Sequence, residues 1–272
     1  MSTIQTNPQA LIDGQYKTDK ELNVRQSFND LFEPKIHLDT EILKRLPNNK
    51  DISILDVGCG SGNTLMFLRE RGYTEKMVGI DISEGIMKKG IDLSEKYALA
   101  FQQATAEDLP FDENAFDVVI ARHVLYHVDD ISLAIQEIHR VLKPTGVFII
   151  TLNSFENKPV MLKLRQFVKE KFDIGMIRNE ERIGTLPIQE YLSSLFDFEY
   201  TELSNSLHLA TPDKLAEYFN TYQNTGEPIP SHKKWQTIMN DVKNYLQSLI
   251  DENPDLMEKN VASITLAKPK RI

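Results

Sequence analysis

The sequence predicts an α/β protein built on a doubly wound, mostly parallel sheet, and three observations carry that expectation. Between about residues 51 and 153, short β-branched apolar runs alternate five times with amphipathic stretches. The first run passes directly into a loop, "LDVGCGSGN" (55–63), whose glycines recur at every second position. The second run ends on an acid, Asp81, in "KMVGIDI" (76–82).

Each element follows from its own residues. "ISILDVG" (52–58) is apolar on both alternating faces, as a strand covered on both sides must be. Asn63 to Arg71 reads as a helix stopped at Gly72. After the second strand, Ser83 is placed to cap a helix carrying Ile86, Met87 and Ile91 at helical spacing. "AFQQAT" (100–105) is a weaker third strand and "FDVVIAR" (116–122) a strong fourth. The next helix sets Ile131, Ala134, Ile135, Ile138, Val141 and Leu142 on one face and is expected to stop at "KPTG" (143–146), before a fifth strand at 147–153.

Outside that span the pattern changes. Residues 1–50 read as a helical N-terminal cap, with "SFNDLF" and "EILKRL" the periodic pieces. Residues 154–272 read as substrate-cover helices with two further strands, at 198–206 and 262–269, which bring the sheet to seven. The helices are expected at 159–172, 188–196, 211–219 (Thr211 as cap) and from Ser231 towards Ile250. The charge run "RNEER" (178–182) is by default a solvated loop, and it, Tyr16, Arg25 and Phe28 are placed by position alone to fold over a ligand.

Composition narrows the function. The 272 residues, 41% of them hydrophobic, suffice for one domain with an elaboration. A net charge of -9 argues against a nucleic-acid partner, which selects for a basic field. A single cysteine, Cys59, excludes an internal disulfide and a cysteine-based zinc cluster. The opening "MSTIQTNPQALIDGQYK" lacks the apolar core of a signal peptide, and no run approaches the roughly 20 apolar residues of a membrane span. A soluble protein of the cytoplasm is expected.

The glycine loop then selects a ligand. A dinucleotide fingerprint requires Gly at position 63, where Asn63 stands, and the Gly-Lys-Ser/Thr of a phosphate loop is absent. Asp56, just ahead of Gly58, Gly60 and Gly62, would repel a pyrophosphate and suits a sulfonium or an α-ammonium group. Asp81 has two acceptor oxygens for a pair of ribose hydroxyls.

Taken in order, "LDVGCGSG", "VGIDIS", "AEDLPF" (106–111), "FDVVIARHVLYHV" (116–128) and "EIHRVLKPTG" (137–146) resemble the successive motifs of the class I S-adenosylmethionine-dependent methyltransferases, in the branch containing ubiquinone- and menaquinone-type and many small-molecule enzymes. The resemblance implies a Rossmann-like core over 51–153, S-adenosylmethionine as cofactor, and a small-molecule methyl acceptor. It implies cofactor contacts from Asp56, Gly58, Cys59 and Gly60 in the loop, Asp81 and Ile82 after the second strand, Thr105, Ala106 and Glu107 after the third, and Arg122 at the end of the fourth. The family often carries Gly-Asp-Ala where Ala104, Thr105 and Ala106 stand, so a hydroxyl replaces a carboxylate at the adenine edge.

His123, Tyr126 and His127 are the candidate catalytic residues, with capping or packing of the helix start as the alternative role for His127. Four apart, the histidines share a face if Val124 starts a helix, at the strand end where acceptor meets methyl. Relatives with Glu-x-x-Glu-His here bind a divalent cation; His123-x-x-Tyr126-His127 lacks both carboxylates, and no metal is expected. Cys59 as a nucleophile is outweighed by its reading as a small apolar filler. Two rival functions share the pattern: a non-catalytic S-adenosylmethionine-binding partner module, and a nicotinamide-dependent oxidoreductase.

Overall fold

A computed structural model describes residues 24–25, 27–154, 156–176 and 188–270. The expected positions Tyr16 and "RNEER" lie outside the described residues.

Seven strands form one sheet: β1 (Ile54–Val57), β2 (Met77–Asp81), β3 (Ala100–Gln103), β4 (Phe116–Arg122), β5 (Leu142–Asn153), β6 (Phe196–His208) and β7 (Met257–Pro269). Their spatial order is β3-β2-β1-β4-β5-β7-β6. The first five pair in parallel, and β7 runs antiparallel between β5 and β6. The order therefore reverses between β1 and β4, and in such sheets the crevice beyond the carboxyl ends at the reversal receives the ligand.

The helices are α1 (Leu38–Leu43), α2 (Asn63–Glu70), α3 (Glu84–Asp92), α4 (Ser94–Tyr97), α5 (Ile131–Val141), α6 (Pro159–Phe172), α7 (Ile188–Leu192), α8 (Asp213–Asn220) and α9 (His232–Glu252). Ser83 caps α3 as expected, its hydroxyl accepting from the Ile86 amide. The buried face of α3 is Met87 and Gly90, however, and Ile91 is 39% exposed. Gly90 is selected by close approach: a Cβ there would sit 2.6 Å from the Phe101 ring.

Two further expectations are corrected. "KPTG" does not form a stop loop; α5 ends at Val141 and residues 142–146 already belong to β5, with a register irregularity opposite Phe116 and Val118. Pro144 forces the residue before it towards extended backbone, so the chain leaves the helix early. Gly146 lets it pass β4, since a Cβ there would lie 2.9 Å from the Asp117 carbonyl oxygen. Thr211 is likewise not the cap of α8, which starts one residue later, after Pro212.

Two clusters of buried side chains cover the sheet, one around Val119, Ile135 and Phe148, the other around Ile54, Leu68 and Ile149. A third core lies away from the sheet faces, among Phe28, Phe32, Leu164, Phe219, Trp235 and Val242 of the N-terminal segment, α6, α8 and α9. Residues 1–50, expected as one cap, thus divide: Phe28 and Phe32 join this third core, while Ile42 and Leu46 pack on the sheet. Trp235 anchors the third core, stacked on Phe219 at 5.9 Å with its indole N–H donated to Asn220 at 2.7 Å. Glu258 of β7, 0% exposed, accepts at 3.0 Å from the amides of Val160 and Met161. Those are two of the N–H groups that a helix start leaves without an internal partner, so β7 caps α6.

Candidate functional site

The glycine loop closes over the end of β1 with Gly58, Gly60 and Gly62 all at positive φ (70°, 53° and 75°), which side-chain-bearing residues rarely adopt. Their surroundings differ. A Cβ at Gly58 would meet Val124 at 2.4 Å and one at Gly62 would meet Phe101 at 2.6 Å, whereas Gly60 faces open space apart from Ile86 at 3.6 Å. Gly60 is thus the point of the loop that a ligand can approach, and Gly58 is where the β1 and β4 loops touch.

Asp81 locks this loop to β2. One carboxylate oxygen accepts from the Gly60 amide at 3.0 Å and the other from the Ser83 amide at 3.0 Å. Burial raises its pKa, partly offset by these amides. Each oxygen keeps a second lone pair for a ligand hydroxyl. Ile82 follows, half-buried, with its carbonyl accepting from the Gln103 amide group at 2.8 Å.

Asp56 is the most unusual group of the site. It is 2% exposed, and its Oδ1 is buried with no hydrogen-bond partner. Burial pushes its pKa up to about 8, opposed by the charge of Arg122 and reinforced by those of Asp39 and Asp81. A buried acceptor without a donor is costly, and this one lies at the strand end beneath the open loop. Cys59 turns the other way: its sulfur packs against Gly79, where a Cβ would lie 2.7 Å from it, and burial raises its thiol pKa. Only its backbone remains available to a ligand.

Arg122 departs from expectation. Its Nη1 donates to Asp39 at 2.7 Å and to Thr64 at 3.2 Å, and Thr64 donates to Asp39 at 2.8 Å. This network ties α1 and α2 to the end of β4 and keeps a positive charge near Asp56. Asp39 went unread in the sequence, since nothing local joins an acid in the first turn of α1 to an arginine 83 residues on.

Beyond β3, Ala106 is buried in the sheet core, and Thr105 is exposed in a bridge to Asp108. Glu107 accepts from the amides of Asp129 and Asp130 at 2.8 and 3.4 Å, so its carboxylate supports the approach to α5.

The histidine pair is rearranged. His123 has φ of 53°, and only Leu125–His127 is helical, as a single 3₁₀ turn. His123 and His127 therefore share no α-helical face. Tyr126 stands between the two, its ring 6.3 Å from His123 and 4.5 Å from His127. The His123 amide donates to Thr151 at 2.9 Å, while its Nδ1 is buried and unpartnered. Burial, with the nearby charges of Arg122 and Lys158, lowers its pKa to about 3. The imidazole is neutral at physiological pH and a far weaker base than an exposed histidine. Among the described residues, no group of three or more His, Cys, Asp or Glu is placed to hold a metal ion, and no helix is long and apolar enough to cross a membrane.

Comparison with known proteins agrees with this geometry. A family model for a methyltransferase domain matches residues 55–150. The chain is 30% identical over 111 residues to the uncharacterized methyltransferase YcgJ of Bacillus subtilis, covering 40% of this chain and 43% of that protein. It is 38% identical over 131 residues to the ubiquinone/menaquinone biosynthesis C-methyltransferase UbiE of Rickettsia akari, covering 44% and 52%. The matches span about half the length of these curated relatives. Among solved structures, YcgJ superposes with a TM-score of 0.56 at 18% identity, over 86% of this chain and 98% of that one. A Haemonchus contortus phosphoethanolamine N-methyltransferase 2, in complex with S-adenosyl-L-methionine, superposes with a TM-score of 0.58 at 20% identity, over 96% and 59%. The matched methyltransferase domain, residues 55–150, thus lies on the part of the sheet that carries the glycine loop, Asp56 and Asp81.

Proposed function

We propose that this protein transfers the methyl group of S-adenosylmethionine to a small-molecule acceptor and releases S-adenosylhomocysteine. The observation that carries the proposal is Asp56 Oδ1, a buried acceptor without a donor beneath a loop whose Gly60 is open. A ligand bearing a positive charge and N–H donors satisfies that atom, and a pyrophosphate does not. The residues present therefore fit the cofactor. Asp56 and the 58–60 backbone would hold its positively charged methionine end, Asp81 its ribose hydroxyls, and Ile82 with the 105–107 backbone its adenine.

The cofactor supplies an activated methyl whose departure leaves a neutral thioether. The chain has to align the acceptor with that methyl and keep water out. His123, Tyr126 and His127 form the β4 side of this meeting point in the proposed arrangement. With its pKa lowered to about 3, His123 serves as a neutral hydrogen-bonding group that orients the acceptor. The third core, built from Phe28, α6, α8 and α9, serves as the acceptor's cover.

The test is calorimetric titration with S-adenosylhomocysteine, followed by mass spectrometry of candidate acceptors after turnover. Micromolar binding that Asp56→Asn abolishes supports the assignment. Tight NAD(H) binding in its place rejects it.

A further inference from the structure

Two arginines of the third core, Arg25 and Arg165, pair with no carboxylate among the described residues. Arg25 and Arg165 both approach the ring of Tyr222, with guanidinium carbons 4.5 and 4.9 Å from its centroid. Arg25 is anchored through bonds to the hydroxyl and carbonyl of Thr221 at 2.9 and 3.0 Å. Arg165 is not anchored: its Nε is buried without a hydrogen-bond partner, and no hydrogen bond or ion pair engages the rest of its guanidinium among the described residues. The contrast within the molecule is sharp. Arg45, Arg122 and Arg140 each pair with a carboxylate, and Arg71 donates to a backbone carbonyl; Arg69 shares the buried, unpaired Nε, but its Nη1 and Nη2 donate to backbone carbonyls.

A guanidinium presents five donors in a planar fork that matches a carboxylate or phosphate two bonds at a time. Burying the Nε donor of Arg165 unpaired is unfavourable, so the arrangement is understandable if an anion completes it. The surroundings suit one. The hydroxyls of Tyr218 and Tyr222 lie 3.1 Å apart beside the two arginines, and the Nζ of Lys158 stands 5.5 Å from the Tyr218 ring. The charge of Lys158 reaches His123 as well as the buried Glu258, so Lys158 links this region to the end of β4.

The geometry points to an acceptor that carries an anionic oxygen group, a carboxylate or a phosphate, seated on Arg165 with Arg25 and the Tyr218–Tyr222 hydroxyls, while its nucleophilic atom reaches towards His123. The word acceptor rests on the methyl-transfer reading above; the anion site itself does not. The inferred ligand differs in charge from a neutral quinone.

The experiment is calorimetry on the full chain saturated with S-adenosylhomocysteine, titrated separately with inorganic phosphate, benzoate and uncharged benzamide. Saturable binding of phosphate or benzoate but not benzamide is expected, and the preferred anion identifies the source of the charge. Arg165→Gln should weaken that binding about tenfold or more while leaving S-adenosylhomocysteine affinity unchanged. Arg165→Lys keeps the charge and should recover only part of the loss, because an ammonium cannot bond in bidentate fashion. No saturable anion binding to the wild type, equal affinity in both variants, or equal binding of benzamide overturns the inference. Failure of S-adenosylhomocysteine to bind overturns the methyl-transfer reading instead, and phosphate and benzoate titrated without it still decide the anion site.

Discussion

The glycine-loop end of the sheet and the third core are built in opposite ways. Around β1 and β2 the working groups are backbone amides, three left-handed glycines and two acids, all within 27 residues (55–81). In the third core they are long cationic and aromatic side chains from segments far apart in the chain, such as Arg25, Arg165 and Tyr222. A rigid backbone site suits a ligand of constant shape, whereas a side-chain site can be rebuilt for a new ligand without disturbing the sheet. On the proposed reading, the difference teaches that one half would specify the reaction and the other its substrate.

The strongest way to break this comparison is Gly58→Val. A branched side chain at φ of 70° would drive into Val124 and separate the β1 and β4 loops. We expect loss of S-adenosylhomocysteine binding by about a hundredfold or more, since several contacts fail together. The near-ultraviolet signal of Trp235 should persist, because its core is separate; losing both at once would show that the two halves are one unit.

Asp81→Ala comes next, with an expected loss of about 1.5–3 kcal/mol in cofactor affinity, since a charged acceptor for ribose and the tie to Gly60 disappear together. Unchanged calorimetric affinity would remove Asp81 from the site.

Asp56→Asn sharpens the comparison through pH. The folded-state pKa of about 8 lies above the ordinary carboxylate value, so protonated Asp56 adds stability at low pH that is lost as pH rises from about 4 through 8. The variant should therefore unfold at higher temperature than wild type at pH 8.5, with the gap closing near pH 4. In the wild type, affinity for S-adenosylhomocysteine should rise with pH up to about 8, because the ligand's ammonium prefers the carboxylate. Parallel melting curves across that range would show that Asp56 carries no such strain.

The smallest effect is expected at His123. A base of ordinary histidine pKa would contribute a hundredfold or more and a break in the rate profile near pH 6.5. With its pKa lowered to about 3, His123→Asn should instead reduce turnover by less than about tenfold, with no break near 6.5 in either protein. A break at 6.5 that the variant abolishes would restore the catalytic base.

How much of this was legible in the sequence follows the same division. β4 was read to the residue at 116–122, and α6 at 159–172, because strand alternation and helical spacing are local signals. The family motifs led to Asp56, Gly60 and Asp81. The helical face drawn through His123 and His127 failed because a left-handed residue leaves no trace in apolar spacing. Asp39 and the Arg165–Tyr222 contact stayed hidden for a different reason: their partners are brought together only by the sheet and the third core. "KPTG" carried a true stop signal two residues too late, since Pro144 acts on the backbone ahead of it.

The cap that Glu258 places on α6 bears on synthesis at the ribosome. Val160 and its capping carboxylate are 98 residues apart. At a translation rate of about 5–20 residues per second, α6 emerges about 5–20 s before the group that completes its first turn. Throughout that interval Val160 and Met161 lack the cap, and until α8 and α9 emerge they and Leu164 also lack most partners of their core, a window in which a holdase can bind them. Nascent chains stalled before residue 258 should be cut by protease within 159–172, and chains stalled far enough beyond it for β7 to clear the exit tunnel should resist.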